Sequence, residues 1–567
     1  LARLPFLTDY QITALLNYRY TTGVFYTVYE LAVIPALDKA TIEDMLPFVY
    51  AAPLKGEQLY KWKNALRYGR HNLMLRTQAV LETQDGFRPP PGPDANPDHY
   101  YPGNRAKYYT QYKYHYRNKL FWGITAEKDP GEQFFAGPQA QGFDYYSAHL
   151  QINSLGPFQK IVLGDFNAEF GQGLVLASGF MGGKNPYATQ IAKRAKGIRR
   201  YSSANENSFF RGGGTSVQAG PLTLTAFFSQ KQVDANITAY DSVANKPLVF
   251  SALQASGIHA LPKQAEDKDA VQERIYGAHM EYRSRRFNLG ASFLRYEFDA
   301  IWENETSALD GYGFSGNAGM NAAVDYEWAH GGLQFFGETA LSDNPAWATV
   351  NGLTYHFAPQ VSAAAIYRHY QPQYHSPYGG AFAESASPDN EQGLYLGLEV
   401  HPFPGWTLAA YADQYRFPWL GYRLSQPAHG HDYFLQARFS PSRRFGAYVR
   451  FKRETKPQDL AADEIGRGLK YAENTRKQYL RYHQQFDVSD KIILKNRFQW
   501  AYYTQANEQD SHGYLLYQDV KYVPAKLPLV CNARLAAFYT DDYNSRLYAY
   551  ESDVLYAFSV PAYYGRG

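Results

Sequence analysis

The chain holds a single cysteine, Cys531, so no intrachain disulfide staples it. No run approaches the ~20 apolar residues of a membrane helix, which excludes a helical span. Charge of one sign is also missing. Its 56 Lys and Arg against 53 Asp and Glu leave +3, too mild for a nucleic-acid or polyanion surface. No basic stretch leads into an apolar core at Leu1, so no signal peptide is visible and the chain is expected to be mature or trimmed.

Aromatic residues are abundant. The 51 Tyr and 35 Phe help bring the aromatic share to 17%, yet mean hydropathy is −0.48. A soluble protein with this many rings would bury them and look more apolar. A membrane-spanning β wall resolves the conflict: one face meets lipid, the other meets water, and tyrosines gather at the interfaces.

From about His71 the hydrophobic period is 2. Over 105–117, Ala106, Tyr108, Thr110, Tyr112, Tyr114 and Tyr116 share one face, with Arg105, Lys107, Gln111, Lys113, His115 and Arg117 on the other and Tyr109 the only exception. Leu394, Leu396, Leu398 and Val400 alternate with Tyr395, Gly397, Glu399 and His401. Tyr433, Leu435, Ala437 and Phe439 alternate with Gln436, Arg438 and Ser440. Phe445, Ala447, Val449 and Phe451 alternate with Gly446, Tyr448, Arg450 and Lys452. Each charge on a lipid face would cost ~2–4 kcal/mol at the midplane. Six such costs, at Lys107, Lys113, Arg117, Arg438, Arg450 and Lys452, would exceed a typical stability of ~5–15 kcal/mol. The charged faces must therefore point inward.

Tight turns at Asn118-Lys119, Ser154–Pro157, Gly220-Pro221, Pro402–Gly405, Pro441–Arg443 and Val488–Lys491 alternate with long connections such as 85–104, 129–142, 170–206 and 235–270. This asymmetry belongs to outer-membrane barrels, with short periplasmic turns and long external loops. The expected fold is all-β: a large antiparallel transmembrane β-barrel of about 22–26 strands over residues 69–567. Gly565-Arg566-Gly567 reads as a turn-like end, and no final strand closes on an aromatic residue, which leaves open further hairpins beyond it.

Residues 1–50 follow a helical period. Thr8-Asp9-Tyr10-Gln11 and Thr27-Val28-Tyr29-Glu30 are capping boxes, and Asp38 can cap a third helix. Residues 51–68 read as a linker. The stretches Leu4-Pro5-Phe6-Leu7-Thr8, Leu15-Leu16-Asn17-Tyr18-Arg19, Ile34-Pro35-Ala36-Leu37 and Leu46-Pro47-Phe48-Val49 resemble a tandem helix-hairpin-helix domain of the kind found in competence-type DNA receptors. With the strand pattern behind it, the whole chain resembles Bacteroidota outer-membrane proteins that carry such a domain. Gly171-Gln172-Gly173-Leu174, Ile198-Arg199-Arg200 and Phe209–Gly212 also match. The resemblance implies an outer-membrane barrel with its helical domain in the periplasm, and no particular substrate. DNA-binding hairpins need a glycine-containing turn that approaches phosphate. Here the turns are Pro5-Phe6-Leu7-Thr8 and Pro35-Ala36-Leu37-Asp38, without glycine, and Asp38 would repel phosphate.

Lys193, Arg194, Lys196, Arg199 and Arg200 form the densest basic cluster. Folded into a lumen, they would favour anions at a constriction. Gly182-Gly183-Lys184-Asn185 lacks the first glycine and the Ser/Thr of a phosphate loop. His356, His369, His375 and His401 have no ligand spacing, and His375-Ser376 has no orienting carboxylate. No catalytic residue, cofactor or metal ligand is assigned. The expected role is a channel, or a scaffold subunit of an envelope transport or assembly complex, with the helical domain as plug or docking module. The alternative is a DNA-uptake receptor. Expected partners are outer-membrane lipid, lipopolysaccharide and envelope proteins, rather than nucleic acid.

Overall fold

In the computed structural model the residues described are all except 1–3, 5, 23–24, 26, 35, 51–61, 89–98, 138, 179–183, 242, 245, 304–310, 461–470, 507, 525–528 and 555–556. A 24-stranded sheet dominates. It begins with Arg70–Ala79 and ends with Cys531–Thr540. Set aside the short strand Gly197–Arg200 and the hairpin Ala235–Tyr240/Pro247–Leu253. Every other strand then pairs antiparallel with its sequence neighbour.

Burial alternates as the period-2 pattern requires. In strand Glu391–Val400 the outward Leu394, Leu396 and Leu398 are exposed, while Tyr395 between them is buried. In strand Leu222–Val233, Leu224 and Phe228 are exposed against buried Thr225, Phe227 and Ser229. The outward face of these strands is thus apolar over most of its length. The sheet also curls. One segment, through Gln172 and Lys184, contacts Glu338 of strand Leu333–Ser342, Asp413 of strand Trp406–Phe417 and Asp432 of strand Ala428–Ser442. Strands this far apart can meet one segment only by wrapping around it.

The wall opens at Gly164. Strand Phe158–Glu169 pairs with strand Tyr145–Leu155 up to His149↔Gly164. There φ is +82°, and a Cβ would lie 2.2 Å from the Ala148 carbonyl oxygen, so only glycine fits. Beyond it, Asp165, Phe166, Asn167, Ala168 and Glu169 are all buried. The strand has parted from Tyr145–Leu155, stays paired with Phe210–Ala219 through Phe166, and runs inward beyond it, where Gly197–Arg200 pairs with its end.

At the other edge, Gly565-Arg566-Gly567 is not a free turn. It continues the ladder antiparallel to the last strand, with Phe538 N donating to Gly567 O at 2.7 Å and Thr540 N to Gly565 O at 2.8 Å. Among the described residues, the first and last strands do not pair with each other.

The N-terminal helices are α1 (Asp9–Thr22), a 3₁₀ turn (Val28–Val33) and α2 (Lys39–Met45). Gln11 N donates to Thr8 Oγ1 and Thr8 N to Gln11 Oε1, while Thr27 and Glu30 form the second capping box. Asp38 caps α2 through Thr41 N at 3.0 Å. Leu7, Leu15, Leu31, Ile34, Leu37 and Met45 share a small core. The stretch read as a linker carries a helix, α3 (Trp62–Arg67). Its Ala65 packs on Tyr114 and accepts the Tyr114 hydroxyl, so α3 covers the foot of an outward-facing strand.

The register is testable with cysteines in a Cys531→Ser background, since Cys531 is exposed. In membranes, Arg450→Cys and Arg481→Cys should react with a water-soluble maleimide, while Val449→Cys and Leu480→Cys stay protected. The opposite labelling pattern would overturn the assignment of the faces.

Candidate functional site in the sheet interior

Two segments fill much of the interior. Gly171 and Gly173 adopt φ of +53° and +87°, which turns successive backbone amides toward one point. There the Gln172 and Leu174 amides donate to Glu338 Oε2 at 2.6 and 3.0 Å. The second segment, 371–390, locks onto the first. Ser376 Oγ and Tyr374 OH both donate to Leu174 O, Gly380 N donates to Gly173 O, and Ala177 N to Tyr378 O. Tyr378 OH reaches Glu273 on strand Val271–Arg283 at 2.7 Å.

An ion network pins both segments to the wall. Arg368, with no exposed surface, donates to Glu391 at 2.5 Å and through both terminal nitrogens to Asp413 at 2.8 and 3.1 Å. Lys184, from the first segment, reaches Asp413 and Glu384 at 2.6 Å each. Lys456 bridges Glu384 at 2.5 Å and Glu454 at 2.6 Å, and Lys452 joins Asp432 and Glu454 at 3.2 Å. Buried charges persist only when paired and hydrogen-bonded, and this network satisfies both conditions for Arg368.

One arc of the remaining wall, strands Phe445–Leu460, Tyr471–Ser489 and Ile492–Thr504, is basic. Arg450 and Arg481 sit directly opposite each other on adjacent strands. Each is held by glutamine, Arg450 by Gln436 at 2.7 Å and Arg481 by Gln499 at 2.8 Å. Arg497, one strand on, lies over the Tyr517 ring at 5.2 Å. None of the three makes a salt bridge among the described residues. Like charges facing across a ladder are unfavourable unless something anionic or aqueous lies over them.

The sequence-derived basic cluster lies inside but does not form a ring. Lys193 Nζ points to Gly380 O at 3.5 Å, and Lys193 N donates to Gln172 Oε1 at 2.9 Å. Arg194 donates to the Leu7 carbonyl of the N-terminal segment. Lys196 is exposed, and its carbonyl accepts Lys160 Nζ at 3.3 Å. Arg199 pairs with Glu169 at 2.6 Å, and Arg200 stacks on Phe121 at 4.0 Å.

Of the hairpin-turn residues, Pro5 and Pro35 lie outside the described residues. Phe6, Leu7, Thr8, Ala36 and Leu37 form two matching turns, closed by Leu7 N to Leu4 O and Leu37 N to Ile34 O. Arg443, in a short connection, donates to the Glu43 carbonyl at 3.2 Å. Burial raises the Asp44 carboxyl above the usual range, opposed by Arg438 and Arg443 nearby. The helices thus sit against the end of the sheet that carries the short connections.

The four singled-out histidines do not converge. His356 bonds Ser362, His375 bonds Tyr312 O, His401 faces Glu399, and His369 stacks on Trp347. His375 and Ser376 turn to different partners. Gly182 and Gly183 lie outside the described residues. Sequence reasoning missed Arg368, Asp413 and Glu338. The one available signal was charge on the inward face of otherwise apolar strands.

No protein-family model and no curated protein matches the sequence. Solved structures similar to it include Wzi, an outer-membrane protein involved in group 1 capsule assembly in Escherichia coli and a carbohydrate-binding β-barrel. That match has a TM-score of 0.34 and 10% identity over 88% of this chain and 95% of that one. A BenF-like porin from Pseudomonas fluorescens Pf-5 matches at TM-score 0.30 and 11% identity, over 60% of this chain and 88% of that one. The outer-membrane protein OpdK of Pseudomonas aeruginosa matches at 0.28 and 9%, over 77% and 87%.

Proposed function

We propose that this chain is an outer-membrane β-barrel that passes small anionic solutes through the part of its lumen left open by two inward-folded segments. The observation that carries this reading is the row Arg450, Arg481 and Arg497. These inward guanidiniums are held by glutamine and tyrosine and make no salt bridge among the described residues. Rings of such side chains select for anions in pores. The outward apolar face and the alternation of short and long connections support the membrane setting. In this setting the N-terminal helices form a small periplasmic domain, and Arg194 and Arg443 are the contacts that seat it.

A second reading is a closed scaffold, favoured by the extent to which residues 170–178, 184–193 and 371–390 fill the interior. Planar-bilayer recording across a KCl gradient separates the two. A channel of this kind should give a reversal potential on the chloride side. A bilayer that stays insulating after insertion, including with residues 1–50 deleted, would reject the channel and favour the scaffold.

A further inference from the structure

At the end of the sheet away from the helices, three long connections meet around one imidazole. His259 is buried. Its Nδ1 lies 2.7 Å from Asp144 Oδ2 and 4.0 Å from Glu206 Oε2, and its Nε2 lies 3.2 Å from Asp234 Oδ2. The His259 amide donates to Glu132 Oε1 at 2.9 Å. Lys268 holds Asp144 from the other side at 2.8 Å. The possible donor atoms of Glu132, Asp144 and His259 all fall within 4.8 Å of one another.

We propose that Glu132, Asp144 and His259, supported by Glu206 and Asp234, bind one divalent transition-metal cation such as Zn²⁺ or Mn²⁺ and thereby clamp the external loops together.

The charge balance supports this. Four carboxylates, Glu132, Asp144, Glu206 and Asp234, meet one lysine and one imidazole, so the cluster has more acidic groups than cationic partners. Glu132 has only the His259 and Asp129 amides as donors, and Glu206 has only the imidazole at 4.0 Å, among the described residues. Buried carboxylates in that condition are relieved by a proton or by a cation. The donor chemistry selects the cation. One imidazole nitrogen with carboxylate oxygens suits Zn²⁺ or Mn²⁺, whereas Ca²⁺ and Mg²⁺ take oxygen alone. Ligand atoms ~2.1 Å from one ion lie ~3 to ~4.2 Å apart, so the His259–Asp144 contact at 2.7 Å opens slightly to admit the ion while the rest of the cluster closes on it.

The site lies outside the spanning strands and apart from the interior network, so its failure would leave the channel reading intact. The test uses the full chain in detergent, stripped with a chelator and titrated calorimetrically with Zn²⁺ and separately with Mn²⁺. One equivalent should bind with Kd tighter than about 10 µM. His259→Ala should weaken it by roughly 100-fold or more, beyond the loss typical of an outer partner. Glu206→Gln, at the edge of the cluster, guards against a folding artefact. It should weaken binding by about tenfold with the thermal unfolding of the stripped protein unchanged. Bound metal should also slow proteolysis within 129–144 and 254–270. The proposal falls if the stripped protein takes up neither ion, which would make the cluster a closed ion network. It falls equally if His259→Ala binds as tightly as the parent, which would place the ion on adventitious surface groups.

Discussion

Arg368→Met should lower the unfolding free energy by ~3–5 kcal/mol, because it leaves buried carboxylates without their cation. Arg368 and both its partners have no exposed side-chain surface. Solvent therefore screens nothing, and the cost of a surface pair does not apply. The partners keep some support. Asp413 retains Lys184 at 2.6 Å, and Glu391 retains the Glu384 and Ser385 amides and the Ser385 hydroxyl. These place the effect toward the lower end of the range. Denaturant unfolding of the folded protein in micelles, followed by tryptophan fluorescence, measures it. Arg368→Lys should fall between, since an ammonium keeps the charge but cannot bridge Glu391 and Asp413 together. Adding Asp413→Asn to Arg368→Met should recover part of the loss. A midpoint for Arg368→Met equal to the parent's would mean that the network does not hold the segments in place.

The period-2 alternation was legible because an inward or outward residue feels its environment locally. Leu394, Leu396 and Leu398 point outward as their spacing requires. Thr8, Thr27 and Asp38 cap as read, since a cap involves only residues three apart. What could not be read depends on residues distant in sequence. The departure from the wall at Gly164 is set by the Ala148 carbonyl of the neighbouring strand. In Gly171-Gln172-Gly173-Leu174 the Gln172 and Leu174 amides serve a carboxylate 164 to 166 residues further on. Arg368 and Asp413 are 45 residues apart, and His259 and Asp144 are 115 apart. Each pair comes together only when the sheet has curled and its long connections have folded over or into it. Tyr114 shows the same limit from the other side. Its outward parity was correct, but it is buried because α3, inside a stretch read as linker, lies over it.

The double substitution Arg450→Glu/Arg481→Glu should turn an anion-preferring conductance into a cation-preferring one. Each swap changes the lumen charge by two, so the pair changes it by four. A unit charge acting on a permeant ion ~10 Å away through water contributes ~0.4 kcal/mol, so the pair shifts the barrier by ~1.6 kcal/mol before screening. At 0.1 M salt the Debye length is itself ~10 Å, which leaves ~0.6 kcal/mol against chloride and the same in favour of potassium, or about eightfold in the chloride-to-potassium permeability ratio. At 0.01 M the screening length is ~30 Å, the difference between the two ions grows to ~2.3 kcal/mol, and the change in the ratio should reach roughly fiftyfold. This growth on dilution is the diagnostic feature, because a change in pore width would alter conductance at every salt concentration alike. Both arginines already face each other across adjacent strands, and their Gln436 and Gln499 partners can donate to glutamate as well as accept from arginine, so the wall should tolerate the change. Reversal potentials taken at both salt concentrations decide the matter. A permeability ratio unmoved at 0.01 M would show that ions do not pass along this row, and the anion path would have to be sought elsewhere in the lumen.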